Sequence, residues 1–304
     1  MKRQKTDPKL SIIIVSYNTR ELLRACFSSI AKSHSGKSAW EVIVVDNGSQ
    51  DGSVEEIKNG DTILIQNTVN KGFAAANNQG IRIAKSDYIL LLNTDCEVEP
   101  DTIVKTLDYF HQHPEIGAVT CKLLLPDGSL DTACHRGFPT PWAAFTYFTG
   151  LEKLFGRSRI FGQYHQQYKP MDDPHDVDSI SGAFFLIRRS VVDAVGLLDE
   201  NFFMYGEDID WCYRIRNRGM RIAYYPYASV IHKKHQSGLD QSNDGLRLQT
   251  KRHFYDAMRI FYNKHYRRRY GWIATALVLL GIKVLQGVAL QGKATPYVIH
   301  EHRY

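Results

Sequence analysis

One stretch decides the fold of this 304-residue chain: Tyr88-Ile89-Leu90-Leu91-Leu92-Asn93-Thr94-Asp95. An uninterrupted apolar run of this length is typical of a strand that is covered on both faces, as in a parallel sheet. The run ends in a carboxylate, and the carboxyl ends of such strands are where open α/β sheets bind ligands. Asp95 is therefore a candidate ligand for a divalent cation that carries a phosphate. The alternative interpretation is that Asp95 caps the following turn or helix.

Around that stretch, strand-like and helix-like patterns alternate through the first 120 residues. The strand-like segments are 10–17, 41–46, 62–66 and 88–92, and the helix-like segments are 20–32, 51–58, 73–85 and 100–113. Alternation of this kind indicates βαβ units and a parallel sheet. We therefore predict an α/β fold with a mostly parallel central sheet flanked by helices.

The second half of the chain is less regular. Residues 131–178 are rich in aromatic side chains and proline, and they predict a long irregular segment that is functional or mobile. The aromatic part, from Phe138 to Phe155, is interpreted either as a sugar-stacking surface or as loop packing. Regular patterns then predict a strand over 179–188, a helix over 207–218, a strand over 221–225 and a long helix over 246–270.

Charge is unevenly distributed along the chain. The net charge is +6, but residues 251–304 carry ten Lys and Arg against two acids, which leaves −2 for residues 1–250. A near-neutral body with a basic tail argues against nucleic-acid binding and for a local contact with an anionic surface. Five cysteines without a CxxC pair indicate neither a disulfide framework nor a zinc site, so a reducing compartment is expected. The apolar stretch 10–15 is too short for a signal peptide, and we expect no export.

Polar side chains follow three of the predicted strands, over 16–18, 46–49 and 93–95. Because these strand ends lie on one edge of the sheet, we expect the side chains to converge on one crevice. No G-x-G-x-x-G follows the first strand and no P-loop sequence occurs, which argues against hydride transfer and P-loop phosphoryl transfer. The simpler interpretation of 46–53 is a tight loop with a helix cap at Asp51 or Ser53, and it is compatible with ligand binding.

Three carboxylates begin the predicted helix at 207: Glu207, Asp208 and Asp210. Acids in a first helical turn complement the helix dipole, which is the simpler explanation. The aromatic neighbours within 202–211 would also restrict water around a carboxylate and raise its basicity. One of these acids is therefore a candidate general base.

His232 follows the strand-like segment 221–225 at a short distance. A lone histidine at such a position is usually a surface or hydrogen-bonded residue. Together with Asp95, however, it offers an oxygen and nitrogen ligand pair. Phosphate oxygens and water would fill the remaining positions around Mg2+ or Mn2+.

Several short motifs occur in a fixed order between about residues 10 and 235. They are Ser-Ile-Ile-Ile-Val-Ser-Tyr-Asn at 11–18, Val-Val-Asp-Asn-Gly-Ser-Gln-Asp-Gly-Ser at 44–53, Asn-Lys-Gly-Phe-Ala-Ala-Ala-Asn at 70–77, Leu-Leu-Asn-Thr-Asp at 91–95, Ser-Gly-Ala at 181–183, Leu-Asp-Glu-Asn-Phe-Phe at 198–203, Gly-Glu-Asp-Ile-Asp at 206–210, and His232. Each motif is weak alone, whereas the ordered set is specific. The chain resembles the inverting glycosyltransferases of family 2, which have the GT-A fold, and among them the bacterial rhamnosyltransferase-like branch.

The resemblance implies a role for each motif. Asp208 would be the general base of a single displacement with inversion, while Glu207 and Asp210 would orient or cap. Asp95 would be the last residue of the family's DXD motif, and it would hold Mg2+ or Mn2+ together with His232. The first DXD position is Asn93 here, a departure that removes one carboxylate. The nucleoside-diphosphate sugar donor would contact Ser16, Tyr17, Asn18, Asp46, Asn47, Lys71, Gly72, Asn77, Asn93 and Thr94.

We predict two parts in the chain. Residues 1–240 would form the GT-A catalytic domain, with a nucleotide-binding half at 10–120 and an acceptor-binding half at 121–240. Residues 241–304 would form a basic, amphipathic helical extension. Arg267 to Arg269 and Trp272 precede an apolar run over 273–282, which predicts a helix lying on an anionic membrane. The alternatives are a core helix and a tilted spanning helix.

The expected activity is transfer of a sugar, with dTDP-rhamnose as the first choice of donor, to a glycan acceptor that is lipid-linked. Bacterial surface polysaccharide such as O-antigen would be the product, and the enzyme would be cytoplasmic and peripheral on the inner face of the plasma membrane. One alternative is a non-catalytic nucleotide-sugar or glycan-binding module, which retention of Asp95 and Asp208 disfavours. The other is a nucleotidyltransferase, disfavoured because no Gly-rich basic loop lies near the first strand.

Overall fold

The computed structural model describes residues 9–33, 40–58, 62–234 and 244–291. Its strands are β1 Leu10–Ser16, β2 Trp40–Asp46, β3 Thr62–Gln66, β4 Tyr88–Leu92, β5 Cys96–Val98, β6 Ile116–Leu124, β7 His175–Asp176, β8 Phe184–Arg188 and β9 Arg221–His232. Its helices are α1 Arg20–Ser33, α2 Ser53–Lys58, α3 Phe73–Ile83, α4 Thr102–Gln112, α5 Pro141–Phe148, α6 Leu151–Phe155, α7 Arg189–Val195, α8 Glu207–Asn217, α9 Asp244–His265 and α10 Trp272–Leu290.

The described strands form one nine-stranded sheet in the order β3-β2-β1-β4-β8-β6-β9-β5, with β7 paired to β9. β1 pairs in parallel with β2 and β4, β2 pairs in parallel with β3, and β6 pairs in parallel with β9. β8 runs antiparallel between β4 and β6, so β1, β2, β3, β4, β6 and β9 all point the same way. The predicted α/β fold with a mostly parallel sheet is confirmed.

β4 lies near the middle of this sheet and is covered on both faces, as its sequence predicted. Leu90, Leu91 and Leu92 are all buried. Each such side chain contributes about 1.5–3 kcal/mol when it leaves water, so the strand is held firmly in place. The backbone that follows it, from Asn93 onward, is therefore presented from a rigid position.

β9 is longer than the predicted strand over 221–225. The pattern stopped at Tyr225 because Pro226 follows, and proline cannot donate to a strand ladder. In the structure, Cys121 pairs with Tyr225 whereas Lys122 pairs with Ser229, so β9 bulges at the proline and then resumes. The resumed part carries His232 to the edge where the predicted ligands lie.

The prediction of an irregular segment over 131–178 is wrong in its middle, where the structure has α5 and α6. Thr140 accepts a hydrogen bond from the backbone N–H of Ala143, and Pro141 occupies the first turn of α5, which is a favourable start for a helix. Gly150 separates the two helices with a φ of 80°. The start signal Thr-Pro was present in the sequence. β5 and β6 were not predicted either; β5 has three residues and depends on pairing with β9.

The two C-terminal helices form successive layers: α9 packs beside α8, and α10 packs on α9. α9 contributes Ala257, Phe261 and Tyr262 to a buried cluster with Phe202 and Ile209, beside α8. α10 then packs on α9 through a smaller cluster: Tyr255, Ile282 and Ala289. The predicted helix over 246–270 ends at His265. Among the described residues, α10 is the one helix long and apolar enough to cross a membrane.

Asp210 joins α8 to α9. Its side chain is fully buried and accepts hydrogen bonds from Arg214 at 2.9 Å and from His265 at 2.7 Å, and Lys264 Nζ lies 2.7 Å from Oδ1. Burial alone would raise the pKa of Asp210, but the bonds from His265 and Lys264 and the charge of Arg214 hold that pKa below its usual value. Asp210 therefore anchors α9 to α8 through these contacts, which the sequence did not indicate.

We predict that Asp210→Asn lowers the free energy of unfolding by about 3 kcal/mol, because the buried cations lose their compensating charge. Asp256→Asn, which removes an exposed contact to Arg259 on α9, should cost less than about 1 kcal/mol. Urea unfolding measures both. Because the folded-state pKa of Asp210 is lowered, its contribution is present at neutral pH and disappears as the pH falls below about 4. Equal effects of the two substitutions would contradict this role.

Candidate active site

The loop after β2 is arranged around Asp46, the buried last residue of that strand. Its Oδ2 accepts the backbone N–H groups of Gly48 and Ser49 at 3.1 and 3.0 Å. Its Oδ1 is buried and has no hydrogen-bond partner among the described residues. A buried carboxylate oxygen without a partner is costly, so this atom is suited to a ligand's donor group. The predicted nucleotide contact at Asp46 is geometrically possible.

The loops beside Asp46 are fixed by side chains that were predicted to touch the donor. Asn18, at φ 53°, accepts the backbone N–H of Gln50 through Oδ1 at 2.8 Å. Asn47 donates to Asn70 Oδ1 at 3.1 Å and to the carbonyl of Gly72 at 3.2 Å. Asp51 caps α2 by accepting from Ser53, as the simpler interpretation of this loop proposed. Asn18 and Asn47 therefore shape the crevice through protein contacts.

Gly72 lies where the loop before α3 contacts the loop before α8, and only glycine fits at this position. It has a φ of +88°, and a Cβ atom there would lie 2.6 Å from the carbonyl oxygen of Phe203. The next residue, Phe73, donates its N–H to that same oxygen at 2.8 Å. A side chain at position 72 would separate the loop before α3 from the loop before α8. Asn77, further along α3, is buried and donates back to the carbonyl of Phe73.

The remaining predicted donor contacts lie at the same edge of the sheet. Ser16, at the end of β1, is buried and its hydroxyl is 3.1 Å from that of Thr19. Thr94 is buried beside Asp95, whereas Tyr17 and Asn93 are partly exposed and Lys71 is exposed. The strand ends that carry Ser16 and Thr94 thus belong to neighbouring strands, and the contacts of all these residues with a donor remain predictions.

Asp95 and His232 lie together, as predicted for metal ligands. Asp95 Oδ1 is 3.4 Å from His232 Nε2, and both side chains are buried. On its other side, the Nδ1 atom of His232 is 2.7 Å from Asp131 Oδ2. A carboxylate behind a ligating histidine fixes the orientation of the ring, and this arrangement recurs in metal sites. Asp131 was not predicted, because it lies in a segment without a regular pattern.

These groups fit a divalent cation of the Mg2+ or Mn2+ type. Ligands about 2.1 Å from such an ion lie about 3 Å from each other, close to the spacing of Asp95 and His232. Cys96 also lies in this group, but its thiol donates to the carbonyl of Ala183 and burial raises its pKa, so it stays protonated. Burial alone would lower the pKa of His232, but the bonds to Asp131 and Asp95 raise it to about 9.

Asp208, the predicted base, accepts hydrogen bonds from three donors. Its Oδ2 accepts from Arg136 Nη2 at 2.8 Å and from the backbone N–H of Gly182 at 3.2 Å. Its Oδ1 accepts the backbone N–H of Ile209. The ion pair with Arg136 is largely buried. Arg136 was not predicted, because no pattern marked a charged residue in the aromatic segment as buried.

Glu207, the neighbour of Asp208, is the carboxyl group that the surroundings make more basic. It is buried, and its Oε2 has no hydrogen-bond partner among the described residues. Burial and the charge of Asp208 raise the pKa of Glu207 to about 8. Glu207 therefore holds a proton more readily than an ordinary carboxyl group does, and it lacks the cation that contacts Asp208.

The Gly182–Ala183 backbone joins the parts of this site. The N–H of Gly182 bonds Asp208, and the carbonyl of Ala183 accepts from the N–H of Asn93, two residues before Asp95. A Cβ at Gly182 would press on the ring of Phe73 at 3.1 Å. The Gly182–Ala183 dipeptide therefore contacts the candidate base Asp208, the backbone just before Asp95, and the start of α3 at Phe73.

Comparisons with known proteins agree on the family. The sequence model described as Glycosyl transferase family 2 matches residues 11–196. The low-salt glycan biosynthesis hexosyltransferase Agl10 of Haloferax volcanii is 30% identical over 229 residues, covering 74% of this chain and 67% of the relative. An N-acetylglucosaminyl-diphospho-decaprenol L-rhamnosyltransferase of Mycobacterium tuberculosis is 28% identical over 251 residues, covering 77% and 79%.

Among solved structures, the fold is similar to that of GalNAc-T7 crystallised with UDP, GalNAc and Mn2+. The TM-score is 0.56 at 17% sequence identity, and the match covers 75% of this chain and 44% of that chain. At this identity the likeness concerns the fold alone.

Proposed function

Because the chain belongs to glycosyl transferase family 2 and has the predicted GT-A fold, we propose that it transfers a sugar from a nucleoside-diphosphate sugar to a glycan acceptor, with inversion. The observation that carries the proposal is that Asp46 and Asp95 follow strands at one edge of the sheet, while the Gly182–Ala183 backbone links Asp208 to the segment that carries Asp95. These carboxylates suit a nucleoside, a metal-bound diphosphate and an acceptor hydroxyl, respectively.

Asp208 accepts the proton of the acceptor hydroxyl as that oxygen attacks the anomeric carbon. Arg136 and the N–H of Gly182 both contact Oδ2, whereas Oδ1 accepts the backbone N–H of Ile209 and has a second lone pair that we assign to the acceptor hydroxyl. Single displacement with inversion requires one such base. Arg136 is thus a positioning residue that keeps the base oriented.

Asp95 and His232 would hold the divalent cation, which supplies charge stabilisation to the departing nucleoside diphosphate. With Asn93 at the first motif position, Asp95 is the main carboxylate on the ion. Asp131 orients His232 from behind. For the sugar, we favour L-rhamnose from a dTDP donor and a lipid-linked acceptor, an inference supported by the mycobacterial rhamnosyltransferase named above.

We predict that Asp208→Asn lowers transfer by about 10³-fold or more while donor binding stays nearly unchanged, because the base is lost and the donor contacts are not. Glu207→Gln is the matched control: the pKa of Glu207 is raised and its Oε2 has no hydrogen-bond partner among the described residues, so the neutral amide should change turnover little. Transfer from a radiolabelled donor measures both variants. An active Asp208→Asn enzyme would contradict the assignment, as would a Glu207→Gln variant that loses transfer alone.

A thermal-shift panel of nucleoside-diphosphate sugars, with and without Mn2+, tests the donor and the metal site. A bound donor at about a hundred times its Kd should stabilise the fold by about 2.7 kcal/mol. Asp95→Asn and His232→Ala should each lose the Mn2+-dependent part, whereas Glu97→Gln on β5 should retain it. Stabilisation without turnover would favour a binding module. Release of pyrophosphate from a nucleoside triphosphate would favour a nucleotidyltransferase.

The C-terminal helix α10 supports the proposed membrane contact. One face packs on α9, and the other exposes a stripe that includes Ile273, Leu277, Leu280 and Val284. Trp272, at the start of the helix, follows Arg267, Arg268 and Arg269. An apolar face with a basic, tryptophan-containing end is typical of segments at the surface of anionic membranes. The proposed location is therefore the inner face of the plasma membrane.

We predict that Leu277→Glu with Leu280→Glu, which are 64% and 58% exposed, lowers the membrane-bound fraction without unfolding the protein. Burying two leucines is worth about 3 kcal/mol or more, and charged replacements forfeit it. Ile83→Glu, at an exposed apolar position on α3, is the control. Vesicle co-sedimentation measures all three proteins. An unchanged bound fraction, or an equal loss in Ile83→Glu, would refute the contact.

A further inference from the structure

A second apolar surface lies on α5, α6 and the turn that follows them. Its side chains are Trp142, Phe145, Leu154, Phe155 and Ile160, which we call the apolar ridge; Leu154 is 73% exposed and Ile160 is 60% exposed. They are continuous, because the ring of Phe161 lies 6.0 Å from that of Trp142 and 5.5 Å from that of Phe155. Contiguous exposed apolar side chains mark an interaction surface more often than chance exposure does.

Polar contacts hold the apolar ridge in this exposed form. The indole N–H of Trp142 donates to the carbonyl of Ile160 at 2.8 Å, which ties α5 to the turn after α6. Glu152 is buried on the inner side of α6 and accepts the backbone N–H of His165 at 2.8 Å. A Cβ at Gly162 would lie 1.9 Å from the carbonyl oxygen of Gly156, so the turn is closely packed. The side chains of the apolar ridge are therefore held by hydrogen bonds and by a closely packed turn.

The charges around the apolar ridge have one sign. Lys153, Arg157 and Arg159 are exposed between its apolar members. Glu152 is the one acid within residues 138–161, and it points inward to His165. Apolar side chains interleaved with exposed cations match the boundary between the headgroups and acyl chains of an anionic bilayer. A glycan would need stacking faces with polar neighbours, whereas the most exposed members here are aliphatic.

A short stretch of chain connects the candidate base to the apolar ridge. Arg136, which contacts Asp208, lies four residues before Thr140, the residue that caps α5. Between them, Phe138 packs on Tyr213 of α8 with ring centroids 4.9 Å apart. A membrane that contacts the ridge would therefore lie near the acceptor side of the site.

We infer that the apolar ridge inserts into the interface of an anionic membrane, as a second contact distinct from α10, and presents Asp208 to an acceptor held in that membrane. This inference rests on the proposed function for its acceptor, but the contact itself is measured independently of sugar transfer. Lys153, Arg157 and Arg159 bind the headgroups, while Leu154, Phe155 and Ile160 enter the apolar layer.

Fluorescence of Trp142 tests the insertion directly. In full-length protein carrying Trp272→Phe, Trp142 is the most exposed of the three remaining tryptophans, since Trp211 is buried and Trp40 is partly buried. Vesicles of phosphatidylcholine with about 30% phosphatidylglycerol supply the anionic surface, and brominated acyl chains supply the quencher. We expect a blue shift and quenching of the emission, both lost when Trp142→Phe is added. Emission that does not respond to these vesicles would overturn the inference.

Charge substitutions separate the contributions to binding. Leu154→Glu with Ile160→Glu should lower vesicle affinity by about tenfold or more, since two apolar side chains no longer enter the interface. Arg157→Glu with Arg159→Glu should lower affinity for the anionic vesicles and leave the weaker binding to pure phosphatidylcholine unchanged. Ile83→Glu should behave as the parent protein does. Equal losses in Ile83→Glu and the ridge variants would contradict a specific surface.

Two further outcomes separate this inference from the proposed function. If the ridge variants lose vesicle binding but still hydrolyse the sugar nucleotide slowly in solution, the membrane role is supported. If a soluble oligosaccharide, instead of vesicles, shifts the emission of Trp142, the ridge is a glycan surface and the inference fails. Absence of any donor hydrolysis or transfer in the parent protein would refute the glycosyltransferase proposal while leaving the quenching result to stand.

Discussion

The backbone of residues 179–183 is the constraint on which the site depends. Its Gly182 N–H bonds the candidate base, and its Ala183 carbonyl bonds the start of the segment that carries Asp95. The backbone of Ser179 pairs in both directions with Arg136, which brings the cation to the base. This short segment precedes β8, the antiparallel strand between the two parallel groups. β8 and the segment before it therefore fix the position of Asp208 relative to Asp95.

Charge compensation distinguishes the three acids at the start of α8. Asp208 pairs with Arg136, and Asp210 pairs with Arg214, Lys264 and His265. Glu207, directly before Asp208, has no hydrogen-bond donor to Oε2 among the described residues, and burial and the charge of Asp208 raise its pKa. A buried charge is costly without a partner, so three acids within four residues have three different environments.

The two proposed membrane contacts use apolar surfaces that packing leaves exposed. α10 buries one face on α9 and leaves the other exposed, and the apolar ridge is held outward by the bonds of Trp142 and Glu152. Both surfaces carry cations and neither has an apolar partner among the described residues. An enzyme whose acceptor is anchored in a membrane gains from two contacts, because they restrict its orientation as well as its distance from the bilayer.

The sequence by itself determined the parallel strands, the polar strand ends and the pairing of Asp95 with His232, because strand periodicity and short ordered motifs are local properties. It did not reveal Arg136 or Asp131, since these residues are charged, lie outside any periodic pattern and become functional only when β9 and residues 179–183 fold against them. The strand predicted from the sequence also ended before Pro226, whereas in the structure a bulge opposite Cys121 and Lys122 lets β9 continue to His232. Tertiary structure alone decided which of the three acids has a raised pKa, because burial is the largest cause of the shift at Glu207.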